Sequence, residues 1–91
     1  MMRDIKYFES RGRHIIINLV DNQSIQYVGQ LKNEIKKLPL NFVEIGKSYI
    51  INLKHMRECH VSYVVMDDGK ELGISRAYRN YFNEKILEYN S

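Results

Sequence analysis

The 91-residue sequence contains one cysteine, one proline and no aliphatic run longer than Ile15-Ile16-Ile17. Each scarcity excludes something. Cys59 has no second thiol, so no internal disulfide can form, and a cytoplasmic location is expected. Three aliphatic residues fall far short of the roughly 20 that a membrane-spanning helix needs. The N-terminus lacks the apolar core of a secretory signal, so no membrane contact by this chain is expected. Glycine is equally sparse where it would matter. Gly46-Lys47-Ser48 matches the end of a phosphate-binding loop, but Asn41 stands where that loop's first glycine belongs. A nucleotide site is thereby excluded.

Catalytic and metal constellations are also thin. In an extended segment His55 and Cys59 share a face while His60 points away, and no fourth ligand accompanies them. No metal and no cofactor is expected, and Cys59 reads as a small buried apolar residue. Ser48 and Ser75 have no base at a spacing that would activate either. Asp67-Asp68 belong to a turn. The chain is not expected to be an enzyme.

What is present is a folding composition, 44% hydrophobic and 27% charged, in a length suited to one domain spanning residues 1–91. The net charge of +3 permits a polyanionic partner without demanding one. Its excess lies early: residues 1–40 hold seven Lys/Arg against four Asp/Glu, and residues 41–91 hold seven of each.

Along the chain, Ile5 to Ser10 suggests a strand, Ser10-Arg11-Gly12-Arg13 a turn, and His14 to Val20 a strand with Ile15, Ile17 and Leu19 on one face. Asp21-Asn22-Gln23 turns back into a strand containing Ile25 and Tyr27. The period then changes. Leu31, Ile35 and Leu38 fall at helical spacing, with Lys32, Asn33, Lys36 and Lys37 on the other sides, and Pro39 ends the helix. Met56 to Met66 is extended with a break at Cys59 to Ser62. Asp68-Gly69 suits a hairpin with a pair of left-handed residues, and Leu72 and Ile74 lie on the return. Ser75 suits an N-cap for a last helix whose Tyr78, Tyr81, Phe82, Ile86 and Tyr89 share a face.

Between the helices lies Asn41 to Asn52. Phe42, Val43 and Ile45 make an apolar strand, Gly46-Lys47-Ser48 a polar corner, and Tyr49-Ile50-Ile51 a second strand closing on Asn52, a residue suited to turns and positive φ. Two apolar anchors around a polar tip project a side chain from a rigid base. Together these elements make a mostly β fold of short antiparallel strands with one short mid-chain helix and a C-terminal helix.

The order of these pieces resembles the LytTR family of bacterial DNA-binding domains. The resemblance runs from about Ile5 to Ile86. It rests on Ile5-Lys6-Tyr7-Phe8-Glu9-Ser10, on Leu38-Pro39-Leu40-Asn41-Phe42, on Phe42 to Asn52, and on Asp68-Gly69 through Ile74-Ser75-Arg76-Ala77-Tyr78. It implies an elongated β fold and a transcription regulator that binds double-stranded promoter DNA, often at tandem repeats. It also implies loops rather than a helix in successive major grooves, and a receiver domain outside this chain. The isolated domain is expected to be a monomer that pairs on DNA.

By the same resemblance, base-reading side chains fall on His14 or its loop neighbours, on Lys47 and on Arg76. An arginine fork suits guanine O6 and N7, Lys47 suits a guanine edge or a phosphate, and His14 can donate to a base acceptor. Arg11, Arg13, Ser48, Ser75 and Arg79 are candidate phosphate contacts, with Asn52 a weaker one and more a turn former than a ligand. Plainer readings stand beside these: a sheet-edge histidine for His14, and solvated charges for Lys47, Arg76, Arg11 and Arg13. At the corner this chain has Gly46-Lys47-Ser48 where the family often has His-Arg-Ser or His-Asn-Ser, so Gly46 removes a surface side chain and sequence preference should differ here. The alternative function is a small β-rich protein-interaction module with a tyrosine-rich groove.

Overall fold

Two residues with left-handed backbone shape the first half of the protein. A computed structural model describes residues 5–91; the segment 1–4, where a secretory signal would begin, lies outside the described residues. Strand β1 (Ile5–Arg11) turns at Gly12, φ +63°, into β2 (His14–Leu19). Strand β2 turns at Asn22, φ +65°, into β3 (Ser24–Val28). Glycine and asparagine are the residues that adopt this conformation at least cost. The register sets Ile15 against Tyr27 and Ile17 against Ile25, so Ile15, Ile17 and Leu19 share one face as their alternation predicts.

The mid-chain helix forms in two parts, α1 (Leu31–Glu34) and a 3₁₀ turn over Ile35–Lys37. Leu38 is already extended (φ −100°, ψ 149°), because the ring of Pro39 disfavours a helical residue before it. Strands β4 (Phe42–Glu44) and β5 (Tyr49–Asn52) complete a five-stranded antiparallel sheet in the order β3-β2-β1-β5-β4. Strands β6 (Met56–Cys59), β7 (Tyr63–Met66) and β8 (Glu71–Gly73) make a second, three-stranded sheet. A 3₁₀ turn over Arg76–Tyr78 leads into α2 (Arg79–Tyr89).

The larger sheet is buried on both faces. Phe8, Phe42 and Ile50 pack with Ile5, Ile15 and Leu31 beneath α1. Their chain neighbours Tyr7, Val43 and Ile51 point the other way, into a core with Val64, Met66, Leu72, Ile74 and Phe82 from the second sheet and α2. Each side chain buried this completely stabilises the fold by about 1.5–3 kcal/mol. Of the predicted aromatic stripe, Phe82 is buried and Tyr78, Tyr81 and Ile86 pack beside it. Tyr89 departs from the prediction: it ends α2 and stays exposed.

Three local details differ from the pattern in the sequence. First, the register between β1 and β2 slips between Ile5 and Tyr7, which face Leu19 and Asn18. The extra residue of this bulge is Lys6. It lets Ile5 and Phe8 share a face despite their odd spacing, and such bulges re-aim side chains. Lys6 is 5% exposed and its ammonium donates to the Asp68 carboxylate in the β7–β8 turn. Second, that turn uses one left-handed residue, Gly69 at φ +89°, rather than a pair. The Gly69 N–H donates to the Met66 carbonyl, and Asp68 accepts from the Lys70 N–H, closing a four-residue connection. Third, Cys59 is exposed, because it ends the edge strand β6 beyond the core.

The hydrogen bond from Lys6, reinforced by the Lys70 N–H, holds the Asp68 carboxyl below its usual range. A depressed folded-state value means stabilisation that is present above the ordinary carboxylate range and lost as pH falls through the depressed value. Asp68→Asn is expected to destabilise the protein at pH 7 by about 2 kcal/mol. Urea melts should show the gap from the parent narrowing below about pH 4.

Candidate nucleic-acid interface

The connections β1–β2, β4–β5 and β8–α2 meet at one end of the molecule because backbone groups join them. The Ser10 N–H donates to the Ser48 carbonyl at 2.8 Å, fixing the hairpin to the corner. The Ser75 N–H donates to the Ile45 carbonyl at 2.8 Å, fixing the entry to α2 on the other side. Within the corner the Ile45 N–H donates to the Tyr49 carbonyl at 3.2 Å. Phe42, Val43, Ile45, Ile50 and Ile51 are all buried beneath it. The corner is therefore a short tip on a rigid base, with one loop docked on each flank.

Gly46 is half-buried, and a Cβ there would stand 3.3 Å from the Cβ of Ser75. The position is an internal contact between two loops rather than a vacated patch of surface. Glycine here lets the corner and the Ser75 segment approach closely.

The three predicted base readers are brought together. His14, the first residue of β2, and Lys47 and Arg76, on the other two connections, are exposed. Lys47, Arg76 and Arg13 have no carboxylate partner among the described residues. Arg11 does: its guanidinium lies 3.0 Å from the Glu9 carboxylate, which reduces its free charge. Ser48 and Ser75 are exposed. Ser75 occupies the N-cap position, but its hydroxyl makes no capping bond, and the Tyr78 N–H donates to its carbonyl instead. Arg79 is half-buried at the start of α2, and its Nε is enclosed with no acceptor among the described residues.

Asn52 does not belong to this surface. It lies at the opposite end of β5, fully buried, with φ −94° rather than a left-handed value. Its oxygen accepts from the Asn41 amide at 2.8 Å and the Lys54 N–H at 3.0 Å, and its amide donates to the Ile5 carbonyl at 2.8 Å. It joins three segments in place of water.

The histidines of the second sheet each have a carboxylate neighbour. His55 Nδ1 is 2.7 Å from Asp67, and His60 Nε2 is 2.9 Å from Glu58 with its ring stacked on Tyr63 at 4.3 Å. The hydrogen bond from His60 lowers the Glu58 carboxyl below its usual range. Among the described residues no three potential ligands cluster, and no helix is long and apolar enough to cross a membrane. Tyr7, Tyr49, Tyr78 and Tyr81 pack on the main core and Tyr27 on the smaller one.

A segment that the sequence left unassigned also reaches this end. The Gly29 N–H donates to the Arg13 carbonyl at 3.1 Å, carrying Gln30, Leu31 and Lys32 beside the hairpin. The only sequence signal was the excess of cations in residues 1–40.

Two of three comparisons with known proteins find similarity and the third finds none. A family model described as the LytTr DNA-binding domain matches residues 1–87. Among solved structures, the fold is similar to the LytTr DNA-binding domain of a protein from Bacillus cereus, described as a methyl-accepting/DNA response regulator. The TM-score is 0.84 at 21% identity, over 93% of this chain and 83% of that one. No curated protein matches the chain.

Replacing Asn52 separates scaffold from surface. Asn52→Ala removes the partner of a buried amide, a carbonyl and an N–H, and is expected to cost about 2–4 kcal/mol in denaturant melts. A role on DNA would instead appear as weakened binding with the melt unchanged.

Proposed function

The chain belongs to the LytTR family of DNA-binding domains, and from that premise we propose that it reads specific promoter sequences through three loops set in successive major grooves. Membership carries DNA binding in transcription regulation. The observation that supports the finer reading is the pair of backbone bonds, Ser10 to Ser48 and Ser75 to Ile45, that joins the segments from which His14, Lys47 and Arg76 come.

The division of labour follows from chemistry. Arg76 offers a planar fork to guanine O6 and N7. Lys47 offers a mobile point charge to a guanine edge, and His14 a ring N–H to a base acceptor. Arg11, Arg13, Arg79 and the hydroxyls of Ser48 and Ser75 contact phosphates, which sets register without reading sequence. Among these, Arg13 is the stronger anchor, because Arg11 must leave Glu9. The protein needs no catalytic group for this work. It acts as one domain, monomeric alone and paired on tandem repeats, under a receiver domain supplied elsewhere.

Selection from a random duplex pool would supply the site, and a salt titration of binding then tests the reading. Several phosphate contacts give a log–log slope of about −0.9 per contact. A flat response would overturn the proposal in favour of a protein-interaction module. Arg76→Ala is expected to cost about 1–3 kcal/mol on the selected site and to relax preference at one base pair. Equal weakening on selected and scrambled duplexes would make Arg76 a phosphate anchor.

A further inference from the structure

The three loops, although joined at their bases, leave a recess beside them. They surround a cleft of about 450 Å³ whose fourth wall is the segment leading into α1. Its lining includes Gly12 from the hairpin, Glu44 and Lys47 from the corner, Tyr78 beyond Arg76, and Gln30 and Lys32 from the fourth wall. From this geometry we infer that the cleft seats the sugar–phosphate ridge between two entered grooves, and that Lys32 and Gln30 are its clamp. The inference rests on the groove-entry reading and extends it to a segment outside the three loops.

The reason is steric before it is electrostatic. Loops that enter neighbouring stretches of major groove must straddle the backbone running between them, so a recess is required between the loops. The cleft occupies that recess. Its walls suit an anion: Lys32 and Lys47 line it together, and neither has a carboxylate partner among the described residues. Gln30 stands at the N-cap position, yet its side chain makes no capping bond and is exposed, which leaves its amide N–H groups available. Glu44, which accepts from the Tyr81 hydroxyl at 3.4 Å, opposes an anion, but it is one carboxylate against the two lysines of the lining. The fourth wall is fixed in place. Gly29 donates to Arg13, and a Cβ at Gly29 would stand 3.1 Å from Ile15 Cδ1, so the chain passes close over the sheet before α1.

The test uses the selected duplex and a scrambled one, with binding followed by fluorescence anisotropy across a salt series. Lys32→Gln is expected to reduce the slope by about 1 and to weaken both duplexes alike. Gln30→Ala is expected to weaken both duplexes with the slope unchanged, since it removes no charge. Lys54→Gln, an exposed lysine next to Asn52 at the opposite end, provides the charge-matched control and should leave the slope intact. Lys32 is exposed, so matching melts of Lys32→Gln and the parent will confirm an intact fold. If Lys32→Gln keeps the parental slope while the parent still binds steeply, the clamp is wrong and the three-loop reading stands. If Lys54→Gln lowers the slope as much as Lys32→Gln, the effect is net charge and the clamp is likewise wrong. If the parent itself shows no salt-dependent binding, both readings fall.

Discussion

The hydrogen bond from the Ser75 N–H to the Ile45 carbonyl joins the two sheets at the end that carries the loops, and the arrangement there depends on it. Ile45 belongs to the corner after β4, Ser75 to the segment after β8. At the far end the sheets are joined again, by Lys6 of β1 with Asp68 of the β7–β8 turn. Between these ties lies the apolar core around Val43, Ile51, Met66 and Phe82. Directional bonds at both ends fix the angle between the sheets, which burial alone, being non-directional, would leave free. A surface made of loops gains its precision from this frame.

Much of that frame was legible. Alternation exposed the strands, Gly12 and Asn22 marked their turns, and Pro39 ended the helix, because each of these signals is local. The features that escaped are those for which one residue's surroundings come from far along the chain. The burial of Lys6 was not legible, since a bulge leaves no mark on composition. Asn52 looked like a turn former; its burial needed Ile5 and Asn41 to arrive from two other segments. Cys59 looked like a core residue, and was exposed because topology put β6 at an edge. The candidate site divided the same way. Arg76, Lys47 and His14 were proposed through the order of motifs, while Lys32 was read only as part of the polar side of a helix whose docking place the sequence did not disclose.

Charge follows the same geography. Lys6, His55 and His60 each lie beside a carboxylate. Such pairs serve the fold and present little field. At the loop end, Arg13, Lys32, Lys47 and Arg76 have no such partner among the described residues, although the net charge is only +3. A modest total thus conceals a local concentration. Field at a contact surface depends on which charges stay uncompensated, not on the sum over the chain.

Gly46 carries a consequence for how this surface can evolve. A Cβ at 46 would stand a tight 3.3 Å from the Cβ of Ser75, so the corner and the loop bearing Arg76 share a boundary. A larger residue at 46 displaces the neighbour, so a change in the corner shifts the segment that carries Arg76. The two loops are coupled rather than modular. Sequences that vary at 46 should vary at 75 in compensation, the sum of the two side-chain volumes being held while each alone drifts.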